Sequence, residues 1–226
     1  MALGAQSVIR AIVQAGTDHE KKSGKEPRKP VVTISRIIGS GGYHVAYALA
    51  KRLGVECYGK EILDTIADNA DVDADLMMKL HEMVSGSSDS WLYSLVFGQN
   101  VRRDDYHRAL VTTMRGLYWK GGVILGRGSH IVLAGRDVLR VRIIGSVDAC
   151  AKRIAKQDDI STALAKKKVR ESNRRRGAFL WTVFHSRLND PLNYDLIINT
   201  DNFSDHEQVV DVILHTLSAM GLDRPA

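Results

Sequence analysis

Hydrophobic positions along this chain alternate between two patterns: short runs of consecutive apolar residues, and longer stretches in which apolar residues recur every third or fourth place. The run Val31-Val32-Thr33-Ile34 predicts a buried strand, and Val45, Ala46, Leu49, Ala50 and Leu53 predict a helix that Gly54 ends. A brief second strand is expected over residues 55–58. Residues 61–70, 74–84 and 106–119 read as three consecutive helices, the second followed by the loop Ser85-Gly86-Ser87-Ser88. Further apolar strands are expected at 123–125, 139–144 and 196–198. Ser146 is placed to cap a helix reaching Lys156, another helix covers residues 166–176, and Val209, Val210, Ile213, Leu214 and Leu217 stripe the last one.

Strands that are apolar throughout and separated by helices specify an α/β domain whose parallel sheet is covered by helices on both faces. The helical block at 60–120 is too long for a single crossover and is expected to be an inserted subdomain. Residues 1–30 carry apolar spacing at Val8, Ile9, Ile12 and Val13, then a charged run with two prolines and no core to bury. They are expected to form a short helix and a mobile basic linker, with the folded domain spanning 31–226.

Composition agrees with one soluble domain: 226 residues, 44% apolar and 26% charged. No stretch approaches the roughly 18–20 apolar residues of a membrane-spanning helix, nor does the N-terminus resemble a signal peptide, so no membrane partner and a cytoplasmic location are expected. Cys57 and Cys150 lie far apart without ligand spacing and are expected to be buried free thiols. The histidines show no metal-ligand spacing, and no residue is assigned to a metal.

The net charge of +6 favours polyanionic partners. It concentrates between Lys166 and Arg176, where seven basic residues face the single acid Glu171. A run of this kind serves equally as a solvated helix face.

The densest chemistry lies in Ser35-Arg36-Ile37-Ile38-Gly39-Ser40-Gly41-Gly42-Tyr43-His44, a glycine cluster between a buried strand and an amphipathic helix. Successive backbone N–H groups and the positive end of a helix create an anion site there, and glycines let the oxygens come close. A dinucleotide-binding fingerprint fails because it needs glycine at His44. A P-loop fits in part: with its second glycine at Gly41, the first falls on Arg36, the lysine on Gly42 and the hydroxyl on Tyr43. The alternative is a tight turn that needs glycine only for its backbone angles.

Thr33, Ser35, Arg36, Gly39 to Gly42, Ala46, Leu49, Ala50, Leu53 and Gly54, followed by Tyr58, Lys60, Glu61, Ile62 and Leu63, resemble the cytidylate kinase-like family of P-loop proteins. The resemblance continues in Ile124-Leu125-Gly126-Arg127-Gly128, in Asn173-Arg174-Arg175-Arg176 and in Tyr194 to Thr200. It implies a P-loop kinase fold with an acceptor-binding helical insertion and an arginine-bearing lid, placed at 157–190. By that resemblance Gly39, Ser40, Gly41 and Gly42 cradle donor phosphates with Tyr43 beside them, Arg127 grips the acceptor phosphate, and Arg170, Arg174 and Arg175 sit on the lid. This chain departs from the family at Tyr43, where arginine is usual, and at Asn173, where aspartate is common.

Phosphoryl transfer depends on positioning and charge neutralisation more than on covalent work, so guanidinium groups are candidates to replace the missing lysine. Arg36, Arg127, Arg170 and Arg174 are the residues assigned to catalysis. Arg36 ends a strand, Arg127 lies between two glycines at the carboxyl edge of the sheet, and Arg170 and Arg174 share a helix face that Arg176 does not. Ser40 is equally suited to bind phosphate or cap the helix; Tyr43 is expected to pack in the core and His44 to be exposed. Asp195 and Asp201 flank the last strand but also read as an ordinary strand-to-loop transition. The expected activity is transfer of the γ-phosphoryl group of ATP, with Mg²⁺, to a nucleoside monophosphate, CMP or dCMP foremost. The alternative is a regulatory nucleotide-binding module with a degenerate P-loop. Nucleotides are the expected partners; nucleic acid is not, because Phe179 and Trp181 are the only stacking aromatics near the basic run.

Overall fold

The computed structural model describes residues 29–59 and 103–223. The readings for residues 1–28 and for helices at 61–70 and 74–84 lie outside the described residues.

Strands β1 (Val31–Arg36), β2 (Cys57–Tyr58), β3 (Gly122–Leu125), β4 (Leu139–Ile144) and β5 (Leu196–Asn199) form one sheet in the order β2-β3-β1-β4-β5. Each neighbouring pair is parallel, with Val32 of the central strand aligned to Val123 on one side and Leu139 on the other. Parallel neighbours need crossovers, and helices supply them. Helix α1 (Gly42–Leu53) follows β1, α2 (Arg103–Lys120) precedes β3, and the one-turn α3 (Ser129–Val132) follows β3. Helices α4 (Val147–Asp158) and α5 (Thr162–Phe184) join β4 to β5, and α6 (His206–Ala219) closes the domain.

Successive strand side chains point to opposite faces, which splits the core into two layers. Val32, Ile34, Val123, Leu125, Val141 and Ile143 pack with α1 and α6 through Val45, Leu49, Val209, Ile213 and Leu217. Val31 and Ile124 face the other way, onto Leu110, Met114 and Leu117 of α2 and Phe179 and Leu180 of α5. The end of the span expected to be inserted is therefore a core helix. A smaller cluster joins α4 to the first half of α5 through Cys150, Ala151, Ile154, Ala165 and Val169, with Ile37 and Ile38 packed against it.

Local chemistry sets the boundaries. Gly54 closes α1 in the left-handed conformation at φ 64°, donating its N–H to the carbonyls of Ala50 and Lys51. Ser146 caps α4 as expected by accepting from the Ala149 N–H, and Ser161 does the same for α5. Helix α3 is a departure from the sequence reading, since a single turn between glycines leaves no periodicity to detect. Neither cysteine is in a disulfide; Cys150 is buried, whereas Cys57 is only partly so, because β2 is a two-residue edge strand. No helix among the described residues is long and apolar enough to cross a membrane.

Candidate functional site

The carboxyl end of β1 opens into a tight turn. The Ile37 N–H donates to the Ile143 carbonyl, and both the N–H and the hydroxyl of Ser40 donate back to the Ile37 carbonyl, the latter at 2.8 Å. Ser40 thus closes the turn itself instead of capping the helix; Gly41 occupies the cap position and offers no side chain. The first-turn N–H groups of α1 carry no side-chain cap, which leaves the positive helix end available to an anion. Gly39 shows why the turn needs glycine: it sits at φ 79°, and a β-carbon there would fall 2.5 Å from the Cys150 carbonyl oxygen.

A polar brace holds the loop from behind. Arg153 of α4 donates to the carbonyls of Gly39 and Thr200, and the Thr200 hydroxyl donates to the Ser40 carbonyl at 2.9 Å. The sequence reading did not single out Arg153; its place beside the apolar stripe of Cys150 and Ile154 gave no sign of this reach.

Arg36 leaves the sheet toward the turn after β3. A β-carbon on Gly42 would meet the Arg36 stem at 2.6 Å, and one on Gly126 would meet its guanidinium at 2.8 Å, so the two glycines together seat this side chain. In that turn Gly126, Arg127 and Gly128 adopt positive φ values of 83°, 59° and 74° in succession. Arg127 is a non-glycine residue in the left-handed region, a local strain of about 1–3 kcal/mol that packing must hold. Its neighbour Gly128 is pressed against Phe184, whose ring would lie 2.2 Å from a β-carbon.

Helix α5 turns Arg176 inward, where one guanidinium nitrogen donates to the Arg36 carbonyl at 3.0 Å. The Arg175 Nε is buried beside it without a partner. Arg170 and Arg174 lie on the exposed side, as their shared i, i+4 face requires, and Arg174 lines a cleft together with Ile37 of the turn. The spacing Ala165, Val169, Ser172, Arg176, Phe179 continues the buried stripe of α5, and this was the signal that points Arg176 inward.

Burial, then the neighbouring Arg127, pulls the Arg36 guanidinium down to about 10 from its ordinary 12.5. Burial and the guanidiniums of Arg36, Arg142, Arg127 and Arg175 pull Arg176 down to about 9. No carboxylate is among the described groups that shift either. These arginines repel one another, and a multiply charged anion is the species that relieves the repulsion.

The other candidates take ordinary places. Tyr43 is 54% exposed and tilted against Tyr47 rather than packed in the core, because the first turn of α1 projects beyond the sheet. His44 is exposed and stacks on His206. The Asp195 carboxylate is held by Arg140, and that of Asp201 accepts from the Ser146 N–H. The basic run is less bare than its sequence suggests: Lys166 pairs with Asp148, Lys168 with Asp158 and Lys167 with Glu171. Among the described residues no three His, Cys, Asp or Glu side chains gather to hold a metal ion. With the Ser40 hydroxyl and both aspartates engaged, the described residues do not by themselves fit Mg²⁺.

A glycine turn at the carboxyl end of a central parallel strand, ringed by arginines, is the geometry of a phosphate-binding loop. A model of the cytidylate kinase-like family matches residues 31–202. The chain belongs to this family. As a cytidylate kinase-like protein it has a P-loop kinase fold, an α/β sheet flanked by helices. An uncharacterized protein from Eubacterium ventriosum is similar at 19% identity, over 84% of this chain and 99% of that one, with a TM-score of 0.62. Shikimate kinases from Bacteroides thetaiotaomicron and Acinetobacter baumannii are more distant, at 12% and 15% identity. The first match covers 84% of this chain and 98% of that one with a TM-score of 0.46; the second covers 90% and 97% with 0.44. No curated protein matches the sequence.

Proposed function

We propose that this protein is a phosphotransferase that moves the γ-phosphoryl group of ATP to a nucleoside monophosphate, with CMP or dCMP the foremost acceptors. The observation that carries the reading is the convergence of Arg36, Arg127, Arg175 and Arg176 beside the glycine turn, close enough that burial and mutual repulsion pull Arg36 and Arg176 well below the ordinary guanidinium range.

In this reading the amides of Gly39 to Gly42 cradle the donor phosphates. Arg127, aimed by the strained turn after β3, holds the acceptor phosphate, and Arg36 and Arg176 lie between the two. An acceptor phosphate oxygen attacks the γ-phosphorus, the bond from that phosphorus to the β-bridging oxygen breaks, and ADP leaves with the electron pair. The nucleophile is already an anion, so no strong base is required. Guanidiniums stay charged and match phosphate through a planar fork, which suits them to the charge that a P-loop lysine would otherwise meet. A low-dielectric site strengthens that stabilisation. No step here runs through a metal.

The test is incubation of the full chain with ATP, Mg²⁺ and a panel of nucleotide and small-molecule acceptors, with ADP and all phosphorylated products resolved. Acceptor-dependent ADP strongest with CMP or dCMP supports the reading. ADP formed only with a non-nucleotide acceptor overturns the substrate, and ATP binding without turnover overturns the activity in favour of a nucleotide-sensing module.

A further inference from the structure

The arginines described above approach the glycine turn from β3 and α5. The flank toward β5 and α6 is built differently. There the Thr200 hydroxyl donates to the Ser40 carbonyl at 2.9 Å, which ties the segment after β5 to the turn, and that segment delivers His206 as the first residue of α6. The Nε2 of His206 lies so close to Gly41 that a β-carbon on that glycine would overlap it. Gly41 is the position that aligns with the second glycine of a P-loop, one residue before the place of the missing lysine. Among the described residues the His206 ring has no hydrogen bond and no ion pair; it stacks on His44 of α1 with centroids 5.3 Å apart.

Three groups set the charge around this ring. His44 faces it from α1 and Arg153 from α4, and both disfavour a proton, while Asp205 beside it favours one. Burial and His44 outweigh Asp205 and hold the imidazole below its ordinary 6.5. The Asp205 carboxylate accepts from the Glu207 N–H, so it caps α6. Arg153 is committed to the carbonyls of Gly39 and Thr200. The group on this flank that can still answer an anion is the imidazole, neutral at pH 7 before the anion binds. A phosphate on the turn reverses the balance, because it brings negative charge to Nε2 and accepts a charge-assisted hydrogen bond from an imidazolium.

We infer that His206 is a ligand of the donor phosphates that takes up a proton as the polyphosphate binds, and so supplies at the second glycine the movable cation that the P-loop lysine would provide. The inference rests on the reading of the glycine turn as the donor site and adds a residue to it. His206 lies outside the residues 31–202 that the family model matches, so the role is not one carried over from the family.

The experiment is calorimetry of the full chain with inorganic tripolyphosphate and with ATP at pH 6 and pH 8. Each titration is repeated in buffers of different ionisation enthalpy, which counts the protons taken up. Titration of the ligand itself is common to all variants and cancels in the comparison. From pH 8 to pH 6 the wild type should gain roughly fivefold or more in affinity relative to His206→Gln, with additional proton uptake, one proton being worth at most about tenfold per pH unit. His206→Lys, charged at both pH values, should bind at pH 8 at least fivefold more tightly than His206→Gln and lose the extra pH dependence. Because His206 is exposed, both variants should melt with the wild type.

Equal affinities and equal proton uptake for the wild type and His206→Gln at both pH values would overturn the inference. So would a pH dependence lost in His44→Gln and retained in His206→Gln, which moves the charge to His44. Gly39→Ala, measured at a temperature where circular dichroism shows it folded, separates this failure from that of the underlying reading. Polyphosphate binding that Gly39→Ala abolishes and His206→Gln leaves untouched removes His206 and keeps the turn as a phosphate site. Binding that Gly39→Ala leaves intact, or no binding by the wild type at either pH, removes the turn and His206 with it.

Discussion

His130 offers a perturbation whose size follows from its surroundings. The ring is 2% exposed, stacks on Tyr194 with centroids 4.8 Å apart, and neither nitrogen has a hydrogen-bond partner. Burial, with Arg142 and Arg140 adding their charge, pulls its pKa to about 3 from 6.5. The folded state therefore keeps His130 neutral where the unfolded state takes up a proton. Stability from this group is complete above pH 6.5 and is lost as pH falls from 6.5 toward 3. At pH 5 the loss is about 1.36 kcal/mol for each of 1.5 pH units, or roughly 2 kcal/mol. His130→Phe keeps a ring against Tyr194, removes two buried unpaired polar atoms and cannot titrate. The variant should be at least as stable as the wild type near pH 7.5, since each unpaired group costs about 1–3 kcal/mol. Its advantage should grow by roughly 2 kcal/mol between pH 7.5 and pH 5. Urea unfolding of both proteins at the two pH values measures the difference, in which carboxylate titrations common to both cancel. An advantage independent of pH would show that His130 is not held neutral, and a variant less stable at both values would show that its nitrogens have partners.

The glycine turn and the inward arginine give two further tests. Gly39→Ala should lose nucleotide binding with a clear fall in melting temperature, because its β-carbon meets the rigid Cys150 backbone; Gly41→Ala should keep most of its stability, because its β-carbon meets only the movable, exposed His206 ring. The backbone cost at both is about 1–2 kcal/mol, so equal melting temperatures would refute the distinction. Arg176→Met should raise the melting temperature in phosphate-free buffer, since the buried cation is held among like charges against a single hydrogen bond to the Arg36 carbonyl. The same variant should lose most of the further rise that added phosphate gives the wild type, which at 100 times its Kd amounts to about 2.7 kcal/mol; a variant less stable than the wild type without phosphate would contradict the like-charge argument.

The sheet was legible because short apolar runs seed its strands, with Leu139, Val141 and Ile143 alternating with Arg140 and Arg142 in β4, and β1 and β4 begin where Val31 and Leu139 begin. The last helix and the Ser146 cap were legible for similar reasons, each resting on local spacing or on a single hydrogen bond. What escaped was long-range. Nothing local to Arg36 tells that Gly42 and Gly126, 84 positions apart, would clear a channel for its side chain. The pairing of the charge run was not legible because its counterions, Asp148 and Asp158, come from the preceding helix rather than from the run itself. Arg174 and Arg176 were separable in principle, since the buried stripe of α5 passes through one and not the other. A helical wheel divides faces correctly; the reading followed the arginine pair instead of the apolar spacing.

The repulsion among the inward arginines connects stability to function. Guanidiniums drawn below their ordinary pKa are cations the folded protein holds at a cost, and the strained turn at Arg127 adds to it. Both costs fall where β1 and β3 end, and apolar layers on the two faces of the sheet offset them. A ligand that meets these charges has to supply several negative oxygens at one place, which a single carboxylate cannot do and a pair of phosphates can. A P-loop lysine would deliver one movable charge to such a ligand. In the proposed function Arg36, seated between two glycines, and Arg176, tied to the Arg36 carbonyl, would meet that ligand with charge already oriented before it arrives, so less side-chain order would be lost on binding. On that proposal, preorganised charge of this kind would favour a phosphoryl group in transit over one at rest, because the developing charge spreads over oxygens that a planar donor can meet in pairs.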